Sequence, residues 1–337
     1  MRGKQRRALF NLNPSRRSTF IMASAAALST IADAFPSFYV RKASAQRSTD
    51  KISLLMGTTP HFGNVIIADV KGIFRKHGVL VEITNFSSGA VATQAFAANQ
   101  GDLVNAADLS ALLLWNRGHV GLCPQAKFQD LTVIVGRKNI NNPSDLKGKK
   151  VGVLMASTSE YFTRVYLSSG GVQFSEIDAI NLPPAQMVTG FVSGDLDAFV
   201  IWQPFGWRAL EAAADSHVVA TAGKYIREYQ FLTMRRGYYD SHATELTAFL
   251  SALSEASKWL SANLDEGATL VSSRIGLGDP TIARRMFDHI RFDMTFTAQL
   301  QTDMEAAANF LGIKIDWPTI FETRPLKSVN PDFVQTG

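Results

Sequence analysis

The chain reads as an α/β protein of two lobes, each built on a parallel sheet and finished by a C-terminal helical cap. Three observations predict it. Short apolar runs alternate with segments whose apolar residues recur at helical spacing, which is the pattern of β–α–β units. The order β–α–β–α–β occurs twice, once before and once after residue 135. The junctions of the two halves also match: NQGDLVNAADL at 99–109 and VSGDLDAFVIW at 192–202 both pass from a helix end through Gly-Asp-Leu into a strand.

Taken in order, Ile52 to Met56 is an apolar strand ending at the loop GTTPHFGN, residues 57–64. Val65, Ile66, Val70, Ile73 and Phe74 follow at helical spacing, with Gly78 as the stop. Val79 to Thr84 is the second strand, and Ser87-Ser88-Gly89 opens a helix running to Ala98. Leu103 to Ala106 is the third strand, ending at Asp108-Leu109-Ser110. A strand-like Leu131 to Val135 and the polar stretch to Ser144 cross to the second lobe. There SDLKGKKVGVLMASTSEYFTRVYL, residues 144–167, joins a basic turn, a buried strand and a helix capped by Ser157, Thr158 and Ser159. Strand 177–182, helix 184–193 and strand 197–201 repeat the first half. Tyr229 to Met234 is the return crossing. From Ser241 the chain turns helical, with further helices near 265–275, 280–290 and 297–311 packed on the first lobe and an irregular tail at 313–337. The resulting segments are 1–45 outside the fold, 46–135 in the first lobe, 136–236 in the second, and 237–337 back on the first.

Residues 1–45 read as an export signal. A basic start precedes an apolar run from Phe20 to Ala32, shorter than a comfortable membrane span, and Ala43-Ser44-Ala45 fits a cleavage site. Ser15-Arg16-Arg17 resembles the twin-arginine motif, although Thr19 stands where that motif has a large apolar residue. The segment holds eight of the chain's 34 Lys and Arg and one of its 29 acids, so the remainder has 26 basic and 28 acidic residues, a formal charge of −2. The basic character of the whole chain, with its pI near 9.3, therefore gives no support for nucleic-acid binding. Cys123, the only cysteine, can form no internal disulfide and sits in an apolar setting suited to a small buried hydrophobe.

Open parallel sheets bind ligands outside the C-terminal ends of their strands. The loops concerned are 58–64, 87–89 and 108–110 in the first lobe, and 156–159, 183–186 and 202–205 in the second. If the lobes face each other, these loops line one cleft. Helix beginnings at Asn64, Gly89 and Ser159 could hold an oxyanion, and Phe62, Trp202 and Phe205 an apolar body. Trp202 and Phe205 fit core packing equally well, and His61 fits a solvated loop. Asp108 and Glu160 add negative charge; either one pointing inward would favour an amine-bearing or zwitterionic ligand.

The stretches KGIFRKHGVLVEI (71–83), FSSGAVATQAFAANQGDLVNA (86–106), SDLKGKKVGV (144–153) and SGDLDAFVIWQP (193–204) resemble the periplasmic solute-binding proteins of ABC importers for nitrate, sulfonates, taurine and thiamine precursors, the SsuA, TauA, ThiY and NMT1-like group. The resemblance covers about residues 50–260. It implies a type II periplasmic binding-protein fold, a monomer that passes its solute to a membrane permease, and ligand contacts on His61, Phe62, Ser88, Asp108, Ser157, Thr158, Gln186, Trp202 and Gln203. Enzymes on this fold are the competing expectation. Against them, the loop GTTPHFGNV has no cysteine nucleophile, the six histidines are scattered without metal-ligand spacing, and no cofactor motif occurs. The expectation is binding without catalysis, cofactor or metal. A ligand-sensing subunit of a regulator would share every feature used.

Overall fold

A computed structural model of the protein describes residues 51–336. The expected export signal lies outside the described residues. Among the described residues no helix is long and apolar enough to cross a membrane.

The first half builds β1 (Ile52–Gly57), α1 (Gly63–Val70), α2 (Ile73–Lys76), β2 (Val81–Phe86), α3 (Gly89–Ala97), β3 (Leu103–Ala107), α4 (Asp108–Asn116) and β4 (Val120–Phe128). The chain then crosses to β5 (Thr132–Arg137), β6 (Lys150–Val153), α5 (Thr158–Ser169), β7 (Asp178–Asn181), α6 (Pro184–Ser193), β8 (Ala198–Trp202), α7 (Phe205–Ala212) and β9 (Ser216–Thr221). It returns through β10 (Glu228–Met234) to α8 (Tyr238–Ala262), α9 (Leu264–Ile275), α10 (Pro280–Phe287), β11 (Ile290–Arg291), β12 (Phe296–Thr297) and α11 (Ala298–Phe310). Two main sheets result, ordered β11-β4-β10-β3-β1-β2 and β7-β6-β8-β5-β9.

The expected parallel units form the heart of each sheet: β2-β1-β3 and β7-β6-β8 are parallel, as crossover helices require. Both sheets are mixed, however. The strands at the two crossings, β5 and β10, pair antiparallel with β8 and β3, and β4, β9 and β11 extend the sheets antiparallel. Only residues 129–131 separate β4 from β5, so the chain passes directly from one sheet to the other. The passages between sheets therefore fall at 129–131 and 222–227, not at 135 and 236, because β5 joins the second sheet and β10 the first. α8 and α9 pack on α1, and the tail is less irregular than its sequence implies. Phe321 stacks on Phe296 with ring centroids 4.2 Å apart and meets Trp115 edge-on.

The matched junctions carry one hydrogen-bond device. Asp102 ahead of β3 accepts from the Ser53 N–H at 2.8 Å, and Asp197 ahead of β8 accepts from the Lys150 N–H at 2.9 Å. Each carboxylate thus ties the start of one parallel strand to its neighbour. By structure Asp102 corresponds to Asp197, two residues beyond the Asp195 that the Gly-Asp-Leu match pairs with it. Cys123 is buried in the sheet, and desolvation pushes its thiol well above the usual range, as expected of a packing residue.

Candidate functional site

At the C-terminal ends of β1, β3 and β8, the loops of both lobes meet around a cavity of about 50 Å³. That is room for a few waters or a few heavy atoms. Two hydrogen bonds cross the gap beside it. Ser110 Oγ on α4 donates to the Ala156 carbonyl at 2.8 Å, and Thr158 Oγ1 at the start of α5 donates to Asp108 Oδ1 at 2.8 Å. Ala156 has φ of +58°, a conformation that strains a residue with a Cβ. Its N–H donates to Glu160 Oε2 at 2.7 Å, and Glu160 is also paired with Arg164, so this acid braces the turn without lining the cavity.

Six of the expected site residues line the cavity: His61, Phe62, Gly89, Ser157, Thr158 and Trp202. His61 lies in the short turn Pro60–Phe62, with Nδ1 paired to Thr59 Oγ1 at 2.8 Å. Its ring stands edge-on to Phe128 at 5.0 Å and to Trp202 of the other lobe at 6.4 Å. It is a buried wall of the cavity, not a solvated loop residue. Desolvation lowers its pKa to about 3, so the ring is neutral at ordinary pH. Ser157 caps α5, its Oγ accepting from the Ser159 N–H at 3.2 Å and donating to the Leu154 carbonyl at 2.7 Å.

The other six stand elsewhere. Asn64 is fully buried inside the first lobe: Nδ2 donates to Ser257 Oγ at 2.9 Å, while Oδ1 accepts from Gln125 Nε2 at 2.5 Å. Ser88 faces away and caps α3 through Val91 N–H at 3.3 Å. Ser159 spends its hydroxyl on the Val200 carbonyl at 2.5 Å, pinning α5 to the sheet. Gln203 accepts from the Trp207 N–H at 2.9 Å at the start of α7, and Gln186 is exposed on α6. Asp108 is fully buried one hydrogen bond behind Thr158, and its Oδ2 has no partner among the described residues. Burial raises its pKa to about 6 despite the opposing pull of the Leu109 N–H, the Thr158 hydroxyl and the Tyr229 backbone. Phe205 packs against the core of the second lobe rather than the cavity.

Thr59 and Ser110, in two of the loops expected to line the cleft, also line the cavity, as do Phe128, Thr132, Glu228 and Gln230, which sequence reasoning passed over. Glu228 is the most consequential. Oε1 accepts from the Thr132 hydroxyl and Oε2 from the Thr132 N–H at 3.4 Å, joining the two crossing strands, and desolvation raises its pKa to about 7. Gln230 follows two residues on, and its Nε2 has no partner among the described residues. The signal was present: two polar residues at alternate positions of an apolar strand mark one polar face. Among the described residues no lysine or arginine lines the cavity, and no group of side chains could hold a metal ion.

Known proteins resemble this chain in sequence and others in overall shape. A Brucella abortus (strain 2308) protein named as a binding protein is 27% identical over 142 residues, or 41% of this chain, and the chain spans only 43% of that relative's length. A Bacillus subtilis (strain 168) protein named for binding aliphatic sulfonates is 25% identical over 64% of this chain and 68% of its own. The crystal structure of the Escherichia coli periplasmic aliphatic sulphonate binding protein SsuA superposes with a TM-score of 0.68, at 20% identity, over 81% of this chain and 92% of that one. The shared fold is thus the two-lobed binding-protein fold, and the sequence pattern of the NMT1-like family matches residues 48–273, so this chain belongs to the NMT1-like family.

Proposed function

We propose that this protein is the solute-binding component of an ABC-type importer. It takes a small polar molecule between its lobes and hands it unchanged to a membrane permease. The observation that carries this reading is the cavity itself, walled by both lobes and closed by the Ser110–Ala156 and Asp108–Thr158 hydrogen bonds. A solute held there contacts both lobes only when they are together, so its binding energy favours closure. Opening breaks these two hydrogen bonds, each worth about 0.5–1.5 kcal/mol net, and parts the Arg285–Trp207 contact at 3.8 Å and the Tyr161–Phe310 ring contact, so the solute must offset a few kcal/mol. The names of the sulfonate-binding relatives point the same way. Export by the segment 1–45 places the protein in the periplasm, beside such a permease. Calorimetric titration against sulfonates, nitrate, carboxylates, amines and aminopyrimidines tests the reading. One solute bound per chain and recovered unaltered is the expected result; conversion of the solute to product would reject it.

A further inference from the structure

The lining of the cavity is unlike that of an anion site. It offers the Glu228 carboxyl, three aromatic side chains (Phe62, Phe128 and Trp202), a His61 ring that stays neutral and, among the described residues, no cationic side chain. Behind it Asp108, fully buried, keeps Oδ2 without a partner. We propose that the cavity recognises its solute by an organic ammonium group, held by Glu228 and the surrounding aromatic rings, with Asp108 adding negative potential from behind.

This rests on the solute-binding reading and narrows it to a chemical class. Two acids in one buried pocket are costly to ionise without a compensating charge. A ligand ammonium supplies that charge, and aromatic rings attract it through their quadrupoles. A sulfonate or nitrate in the same place would set negative charge beside both carboxyl groups and make either one costlier to ionise. The beginnings of α3 and α5, at Gly89 and Thr158, also reach the cavity. They can accept a negative group on the far end of the same molecule, so a zwitterion fits and a plain anion leaves Glu228 and Asp108 uncompensated. The unpartnered Gln230 Nε2 adds a donor for a second, acceptor-bearing group.

The test compares taurine, ethylamine and ethanesulfonate by calorimetry at pH 7. The three differ only in which charged end is present. Expected is binding of taurine and ethylamine, with ethanesulfonate weaker than either. Glu228→Gln should weaken ethylamine by roughly tenfold, as loss of a charge-assisted hydrogen bond does. Because Glu228 also joins the crossing strands, Phe128→Leu serves as the second variant, removing a ring while leaving that bond in place. It too should weaken ethylamine and spare ethanesulfonate. Binding of ethanesulfonate with no response to ethylamine would overturn the ammonium assignment while leaving solute binding intact. Ethylamine affinity unchanged in both variants would also overturn it, as would silence of all three probes.

Discussion

At the scale of single residues, the buried acid at the crossing sets a pH dependence with a definite sign. Glu228 titrates near 4.5 when unfolded and is raised to about 7 in the fold. Below pH 4.5 both states are protonated and burial carries no ionisation penalty; as pH rises to about 7 only the unfolded state has released its proton, so stability is lost across that interval. Asp108 acts in the same direction between 3.8 and about 6, whereas the neutral His61 opposes it at low pH. A difference between two proteins isolates one group. Glu228→Gln should therefore gain thermal stability over the wild type, with the gain growing from pH 4.5 to pH 7. A gain constant with pH would mean that the carboxyl does not titrate as its burial requires. Asn64 makes the opposite point. Asn64→Ala leaves Gln125 and Ser257 without their partner in the core, at a cost of about 1–3 kcal/mol. Melting should fall by several degrees while the protein that remains folded binds solute as before; weakened binding at full stability would return Asn64 to the site.

Which side chains serve the cavity was half legible for a physical reason. Loop position at strand ends is written in sequence, which is why His61, Phe62, Gly89, Ser157, Thr158 and Trp202 could be placed on the cavity wall. Within a loop the choice between capping a helix and facing a ligand depends on tertiary packing, which separated Ser157 from Ser88, Ser159 and Gln203. Glu228 and Gln230 lie on a strand that was read only as a crossing, so their shared polar face went unused.

At the scale of elements, the wall of the cavity depends on how closely β1 meets α3. A Cβ added to Gly57 would sit 2.5 Å from the Gly89 nitrogen and 2.8 Å from the Ser88 carbonyl carbon, both backbone atoms that cannot swing aside. Gly57→Ala should push the start of α3 outward, costing about 1–3 kcal/mol of stability and weakening solute binding as well. Melting by circular dichroism together with calorimetry checks this; an unperturbed melting temperature would show that α3 is not held by that contact. The parallel β–α–β cores were legible because crossover helices announce themselves by period. The antiparallel strands were not, since a run such as Val120 to Phe128 carries no local mark of its partner. The aspartates ahead of β3 and β8 show a related limit. The repeat of Gly-Asp-Leu was real as sequence, but the equivalent carboxylates are Asp102 and Asp197, because the tie to the neighbouring strand fixes the register.

For the whole molecule, the account is that two similar α/β lobes, joined by the crossings beside Thr132 and Glu228, come together around one solute. The first turns of α4 and α5 form the latch, through Ser110, Asp108, Ala156 and Thr158. Thr158→Val keeps the side-chain shape but removes the donor to Asp108, so it should favour separated lobes and weaken solute binding by roughly tenfold, the worth of one buried hydrogen bond to a charged or partly charged group. The duplication of the β–α–β–α–β unit made this division visible in sequence, whereas the latch, which depends on two helix starts meeting in space, did not show. The most direct measurement is small-angle X-ray scattering of the protein with and without the tightest solute from the calorimetric panel. The account predicts a smaller radius of gyration at saturating solute, with a larger excess required to reach it in Thr158→Val. A radius unchanged at full occupancy would contradict closure of the lobes around the solute.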